Sequence, residues 1–262
     1  MSADILTRYL ETVPELIREA GDMTRRYFRQ ADLAVDYKSD ASPVTEADRE
    51  TERFLRERIH REFPGHRVVG EEFGTSGDPG TGENETTWTW VIDPIDGTKA
   101  FVHGVPLYTV LIALMEGREF RAGAIHNPVL QETVIAAEGR GCLYNGRPSR
   151  VRTDRSLEEA TVCATDYGDL YRRDPDFTQF LLSRAAIART WADGYGYLLL
   201  ATGRADAMLD PVMNLWDIAP VVPIVREAGG SISEWTGEMG REPRSALAAT
   251  PALHGELVAR ST

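Results

Sequence analysis

The sequence predicts a protein of mixed α and β structure, with an α+β half over residues 1–150 and an α/β half over residues 151–262. Three patterns predict it. Apolar residues recur at helical spacing near the N-terminus and again after Thr45. Short apolar runs then follow one another with turn residues between them, as strands of an antiparallel meander do. Beyond Val151, strand-like and helix-like segments alternate, which is the pattern of an α/β unit.

Taken in order, residues 4–28 place Ile5, Tyr9, Leu10, Val13, Ile17, Ala20 and Met23 on one helical face, and Pro14 is expected to kink or interrupt that helix. Val35 to Tyr37 reads as a short strand, and Lys38 to Pro43 as a loop. Thr45 and Asp48 have the spacing of a capping box, which opens a helix to about Phe63 with Phe54, Leu55, Ile59 and Phe63 facing the core. Val68 to Gly70 is a strand that runs into Glu71-Glu72. Gly74 to Thr87 is rich in Gly, Thr, Ser and acids and reads as a loop. Trp88 to Ile92 is a buried strand. Tyr108 to Met115, Ala122 to His126 and Thr133 to Ala137 follow as a meander, and Asn145-Gly146 marks a hairpin. In the second half, Ala160–Ala164 and Ile187–Trp191 read as strands around a helix near Phe177–Ala186. Gly194–Thr202 is a helix, Ala205–Leu209 a strand, Leu215–Ala228 a helix despite Pro220 and Pro223, and Ser231–Glu234 a strand.

Composition narrows the function. The 262 residues carry a formal net charge of -12, which disfavours nonspecific binding to nucleic acid or to an anionic membrane. Such a charge also repels a phosphorylated substrate unless cations neutralise the site. Cys142 and Cys163 lack metal-ligand spacing and make no disulfide framework, which favours a reducing compartment. No segment has the length and apolarity of a signal peptide or a spanning helix, so a cytoplasmic location is expected.

The stretch Trp90-Val-Ile-Asp-Pro-Ile-Asp-Gly-Thr98 concentrates the chemistry. Pro94 restricts Asp93 to extended geometry and is expected to end the strand. Asp93 and Asp96 then share a tight turn. Gly97 lets the backbone approach a ligand, and the amides of Gly97 and Thr98 at a helix start would hold an anion. Two carboxylates beside an anion cradle point to metal-assisted chemistry on a phosphate; on its own, the same turn also reads as an acidic helix cap. Glu71, at a strand end 22 positions before Asp93, is a third acid of interest. Asp217 opens a helix and Asp210 follows a strand, so both also read as caps or solvated ends. Hard oxygen donors without a His or Cys cluster suit Mg²⁺, with Mn²⁺ as a substitute. Two or three such ions can polarise a phosphate ester and generate a hydroxide.

Four motifs occur in one order: Gly70-Glu71-Glu72, Asp93-Pro-Ile-Asp-Gly-Thr98 with Phe101-Val-His-Gly104, Trp216-Asp217, and Glu227-Ala-Gly-Gly230. Together they resemble the inositol monophosphatase family over nearly the whole chain. That resemblance implies a layered αβαβα sandwich of the inositol monophosphatase and fructose-1,6-bisphosphatase type, a homodimer, and a Mg²⁺-dependent phosphomonoesterase. It assigns Glu71, Asp93 and the Ile95 carbonyl to one metal, and Asp93, Asp96 and Asp217 to a second. Thr98 would pair with Glu71 to activate water, Asp48 would support Thr98, and the Gly97 and Thr98 amides would hold the phosphate. Lys38 matches a basic residue on a mobile loop, although alone it reads as an exposed loop lysine.

Within the family, Asp193-Gly-Tyr-Gly-Tyr197, Ala201-Thr-Gly-Arg204 and Asp210-Pro-Val-Met-Asn214 resemble the histidinol-phosphate phosphatase branch. Asp193, Asp210 and Asn214 are thereby candidates for recognising the amino group or imidazole of L-histidinol phosphate. Arg189 is a candidate for the phosphate end or a neighbouring subunit. His126-Asn127-Pro128 departs from the pattern and blurs the border with inositol-1-monophosphatases. A 3'-phosphoadenosine phosphatase is a further alternative, and a non-catalytic metal-binding scaffold is the alternative of a different class. The presence of every proposed ligand together with Thr98 favours an enzyme acting on a small phosphate ester.

Overall fold

The computed structural model describes residues 2–30, 35–37, 43–77, 87–191 and 193–261. Lys38 therefore lies outside the described residues. The chain opens with α1 (Ser2–Tyr27), β1 (Val35–Tyr37), β2 (Pro43–Thr45) and α2 (Glu46–Glu62). Contrary to the expectation at Pro14, α1 is one helix of 26 residues with that proline inside it. Pro14 faces solvent, whereas Val13, Leu16 and Ile17 on either side of it are buried, so packing carries the helix past the missing N–H. At the start of α2 the Thr45 amide and hydroxyl both donate to Asp48 Oδ2 at 2.7 Å.

Next come β3 (Arg67–Gly70), β4 (Gly74–Ser76), β5 (Trp88–Asp96), α3 (Thr98–Val102), β6 (Thr109–Glu116), β7 (Glu119–Asn127), β8 (Glu132–Ala137), β9 (Gly141–Tyr144) and β10 (Arg147–Ser149). They build an eight-stranded sheet in the order β10-β9-β8-β7-β6-β5-β3-β4. Two expectations change here. Gly74–Ser76, read from sequence as loop, pairs antiparallel with β3, and β3 pairs parallel with β5, so the sheet is mixed. Moreover, β5 does not end at Pro94. Asp93 pairs with Leu111 and Asp96 with Thr109, so Pro94 and Ile95 together oppose Val110. A proline is tolerated at such a bulge because the ladder bond it cannot donate is not required there.

The remainder holds β11 (Thr161–Ala164), α4 (Tyr167–Arg173), α5 (Pro175–Arg184), β12 (Ile187–Arg189), α6 (Asp193–Ala201), β13 (Ala207–Asp210), α7 (Leu215–Glu227), β14 (Ser231–Ser233), β15 (Ala246–Ala249) and α8 (Pro251–Val258). A five-stranded sheet runs β12-β11-β13-β15-β14. The sequence reading missed α4, β15 and α8. The run Ala246-Leu-Ala-Ala249 has no β-branched residue to mark it as a strand.

Five layers follow from which side chains meet. Tyr9, Ile17, Leu55 and Ile59 of α1 and α2 pack on Trp90, Ile92, Ile112 and Leu114 of the large sheet. From its other face Leu111 and Ile125 meet Leu198, Val221 and Val222 of α6 and α7, which also contact Cys163, Met208 and Ala248 of the small sheet. The alternate residues Val162, Leu209 and Leu247 point outward to Leu170, Phe177 and Leu253 of α4, α5 and α8. The order is α, β, α, β, α, as the family resemblance implied. Gly123 is where the central helices come closest, since a Cβ there would lie 2.0 Å from the Pro220 carbonyl.

Candidate active site

At the C-terminal ends of β3, β5 and β13 and the start of α7 lies a cavity of about 170 Å³. Glu71, Asp93, Ile95, Asp96, Gly97 and Thr98 line it from the large sheet; Asp193, Asp210, Asn214 and Asp217 line it from the other side. Two of the sequence candidates lie outside this lining. Asp48 sits buried in the first turn of α2, and its charge is felt at Asp93. Arg189 is exposed on β12, where its guanidinium donates to the Ala188 carbonyl.

The bulge in β5 shapes the centre. The Ile95 amide donates to Asp93 Oδ1 at 3.0 Å, spanning the proline, and the Thr98 hydroxyl donates to the Ile95 carbonyl at 3.0 Å. Gly97 sits at φ 80° between the strand and α3. A Cβ there would also come within 2.9 Å of Asp193 Oδ2, so glycine is needed for both conformation and space. Asp193 itself is a non-glycine residue at φ 54°, a strained placement of the kind that functional sites hold.

In Asp96, Asp217 and Asp210 one carboxylate oxygen is fixed by the fold. Asp96 Oδ2 accepts the Gly194 amide at 2.6 Å and the Thr109 hydroxyl at 2.7 Å. Gly194 permits that approach, because its Cβ would meet Asp96 Oδ2 at 2.7 Å. Asp217 Oδ2 accepts the Asn214 amide at 2.7 Å, which also caps α7. Asp210 Oδ2 accepts the Tyr197 hydroxyl at 2.7 Å.

Asp93, Asp96 and Asp217 each offer an oxygen within 4.8 Å of the others. Burial is the largest cause that raises each of these carboxyls. Asp93 is pushed well above the ordinary range, with Glu71, Asp96 and Asp217 adding repulsion. Asp96 is pushed up to about 7, despite the hydrogen bonds from Thr109 and Gly194 that pull it down. Asp193 and Asp217 are likewise raised well above the usual value, in both cases by burial first and then by Asp96. Asp210 rises to about 6. Like charges held this close in a buried site favour either protons or bound cations. The donor set is all oxygen, which fits a hard divalent ion.

Sequence reasoning passed over Glu52, the acid that fixes Glu71. Glu52 is fully buried on α2 and pairs with Arg56 at 2.6 Å. Its carboxylate also accepts the amides of Glu72 and Phe73 at 2.7 and 3.1 Å, clamping the turn that carries Glu71. Gly70 is glycine because a Cβ there would lie 2.3 Å from Glu52 Oε1. The signal was available: Glu52, Leu55, Arg56 and Ile59 share one helical face, and a charged pair on an apolar face calls for a partner.

Similarity to known proteins agrees with this geometry. The model of the Inositol monophosphatase family matches residues 6–262. The chain is 40% identical over 235 residues to a histidinol-phosphatase of Chlorobaculum parvum, covering 88% of each chain. It is 36% identical over 255 residues to a histidinol-phosphatase of Mycobacterium tuberculosis, covering 94% of each. Among solved structures, the IMPase of Thermotoga maritima superposes with a TM-score of 0.85 at 30% identity, over 96% of both chains. The chain belongs to the inositol monophosphatase family and is a phosphatase.

Proposed function

We propose that the protein is a Mg²⁺-dependent phosphomonoesterase whose substrate is L-histidinol phosphate. The observation that carries the substrate is that Asp193 and Asp210 line the same cavity as the Asp93, Asp96 and Asp217 cluster. A cationic amino group or imidazole next to the phosphate would meet these two carboxylates through charge-assisted hydrogen bonds. The two similar histidinol-phosphatases support that choice. Similarity to the Thermotoga maritima IMPase supports inositol-1-phosphate as the second reading.

Glu71, Asp93 and the Ile95 carbonyl are the proposed ligands of one ion, and Asp93, Asp96 and Asp217 those of a second. A carbonyl has two lone pairs, so Ile95 can keep the Thr98 hydrogen bond while ligating. Bound Mg²⁺ supplies Lewis acidity towards the phosphate and lowers the pKa of water. Within the chain, Glu71 would take the proton of the attacking water and the Thr98 hydroxyl oxygen would orient that water, its own proton being given to the Ile95 carbonyl, with Asp48 as the proposed support of Thr98 from α2. The amides of Gly97 and Thr98 receive the phosphate oxygens. Residues 1–150 thus supply the hydrolytic groups, and residues 151–262 supply Asp217 and the recognition acids.

The test is phosphate release with Mg²⁺ on histidinol phosphate, inositol-1-phosphate and phosphoadenosine phosphate. The expected result is a preference of about a hundredfold in kcat/KM for histidinol phosphate, or ~3 kcal/mol of transition-state discrimination. A flat profile, or one led by inositol-1-phosphate, overturns the substrate assignment and leaves the phosphatase.

A further inference from the structure

A second cavity, of about 450 Å³, lies on the strands of the active site but towards their beginnings. Arg67 and Val69 of β3 and Thr89 of β5 line it, and Leu215, the first residue of α7, closes it. Its floor is apolar, with Val69, Phe120 and Leu215 packed against the buried Met115. Its rim is cationic: among the described residues, Arg67, Arg118, Arg241 and Arg244 line it with one carboxylate, that of Glu242.

Arg56 pairs with Glu52 at 2.6 Å and Arg204 with Glu132 at 2.7 Å. Around the groove, Arg118 comes no closer than 4.0 Å to Glu242. The side chains of Arg67, Arg241 and Arg244 form no ion pair or hydrogen bond among the described residues, and Arg67 Nε is buried without a partner. In a chain of net charge -12, four arginines of the described residues converge here on one carboxylate. Guanidinium forks match phosphate and carboxylate oxygens in pairs. The volume is that of a small-molecule site, as is the combination of apolar floor and few polar groups. A neighbouring cavity shares Arg118, Phe120 and Arg241 and extends the trough.

We propose that this groove binds a small organic anion, a molecule with a phosphate or carboxylate group on an apolar body. Phe120, Leu215 and Met115 contact the body, and Arg67, Arg241 and Arg244 hold the charged group. The site is separate from the hydrolytic cavity, and no bond is made or broken in it.

Calorimetric titration of the Mg²⁺-loaded protein with phenylphosphonate, at fixed ionic strength, tests the proposal. Arg241→Ala/Arg244→Ala, at two exposed positions outside the lining of the hydrolytic cavity, is expected to weaken one binding component at least tenfold while leaving kcat/KM on a phosphate ester unchanged. Arg67→Met should do the same; should it fail to fold, the double variant keeps the test intact. Methylphosphonate is expected to bind the groove at least fivefold more weakly than phenylphosphonate, because it lacks the body that covers the floor. Benzoate in place of phenylphosphonate distinguishes a carboxylate from a phosphate preference. Equal binding by wild type and double variant overturns the proposal. So does equal affinity for the methyl and phenyl probes, which identifies an adventitious ion only.

Discussion

Glu52 and the Asp93, Asp96 and Asp217 group are acids largely withdrawn from water on either side of the Glu71 turn, yet the fold treats them in opposite ways. Glu52 has Arg56 at 2.6 Å and two backbone amides. The three aspartates gather oxygens within 4.8 Å of one another, and repulsion among them adds to burial in raising Asp93. The chain can therefore neutralise a buried carboxylate with its own cation, and does so where the carboxylate is scaffold. Where it leaves several acids facing each other, the neutralising charge is supplied from outside. Burying an ionised carboxylate with no compensation costs several kcal/mol, so the arrangement persists only with protons or metal in place.

The comparison breaks most sharply at Asp93. Asp93→Asn is expected to lower kcat by about 10³-fold or more, ~4 kcal/mol, and to abolish the rise in Tm that Mg²⁺ gives the wild type. In metal-free buffer at pH 8 the same variant should melt above the wild type, because one member of a self-repelling group is gone. A lower metal-free Tm would show that the aspartates are stabilised by the fold after all. At Glu52 the expectation reverses. Glu52→Gln leaves Arg56 as a buried charge without its partner and should cost about 3–5 kcal/mol in urea unfolding. It should also raise the Mg²⁺ concentration for half-maximal activity, since the Glu71 turn loses its anchor. Glu52→Gln/Arg56→Met, which removes both charges, should recover part of the stability but not the metal affinity. Full recovery of both would make Glu52 a packing residue only.

This contrast also explains what was legible in the sequence. Local patterns sufficed for the helix after Thr45, the meander from Thr109 and the hairpin at Asn145-Gly146, whose residues sit at φ 46° and 76°. Those elements are determined by neighbours in the chain. The bulge at Pro94 was misread because a proline ends a strand by local rules, and only the partner strand's register lets β5 continue to Asp96. The convergence of Glu71, Asp96, Asp193 and Asp217 could not be read from spacing. It depends on β3 lying parallel to β5 and on α6 and α7 being packed between two sheets. There the four motifs carried information that propensity does not hold. Glu52 differs: its place with Arg56 on the apolar face of α2 was legible, but its partners, the Glu72 and Phe73 amides, depend on how the turn after β3 packs against α2.

Asp210 sharpens the comparison from the substrate side. It is buried, which pushes its carboxyl up, but hydrogen bonding from Thr165 and from Tyr197 holds the rise to about 6. Asp210→Asn keeps an acceptor for Tyr197 and removes the charge. The expected outcome is a thirty- to hundredfold fall in kcat/KM for histidinol phosphate, about 2–3 kcal/mol, with a generic ester such as p-nitrophenyl phosphate little changed. Equal losses on both esters would move Asp210 from recognition into hydrolysis.

His126 shows a third way of burying an ionisable group, which is to keep it neutral. It lies on β7 beneath α1, its Nδ1 is 2.8 Å from the Thr133 hydroxyl, and a Cβ at Gly21 would come within 2.6 Å of its ring. Burial, the largest cause, lowers its pKa from 6.5 to about 4. Between those values the unfolded chain binds a proton that the folded chain does not, so this residue's contribution to stability rises with pH and is lost as pH falls from about 6.5. At pH 5.5 the loss amounts to about one pH unit of linkage, ~1.4 kcal/mol. His126→Gln keeps a polar side chain there without the titration, and its urea stability should fall less than the wild type's between pH 7 and 5.5 by that amount. Because the metal cluster titrates in the opposite sense, the measurement belongs in saturating Mg²⁺, where the aspartates are held ionised. Parallel pH profiles for the two proteins would mean that His126 already carries its proton in the fold, with the Thr133 hydroxyl accepting rather than donating.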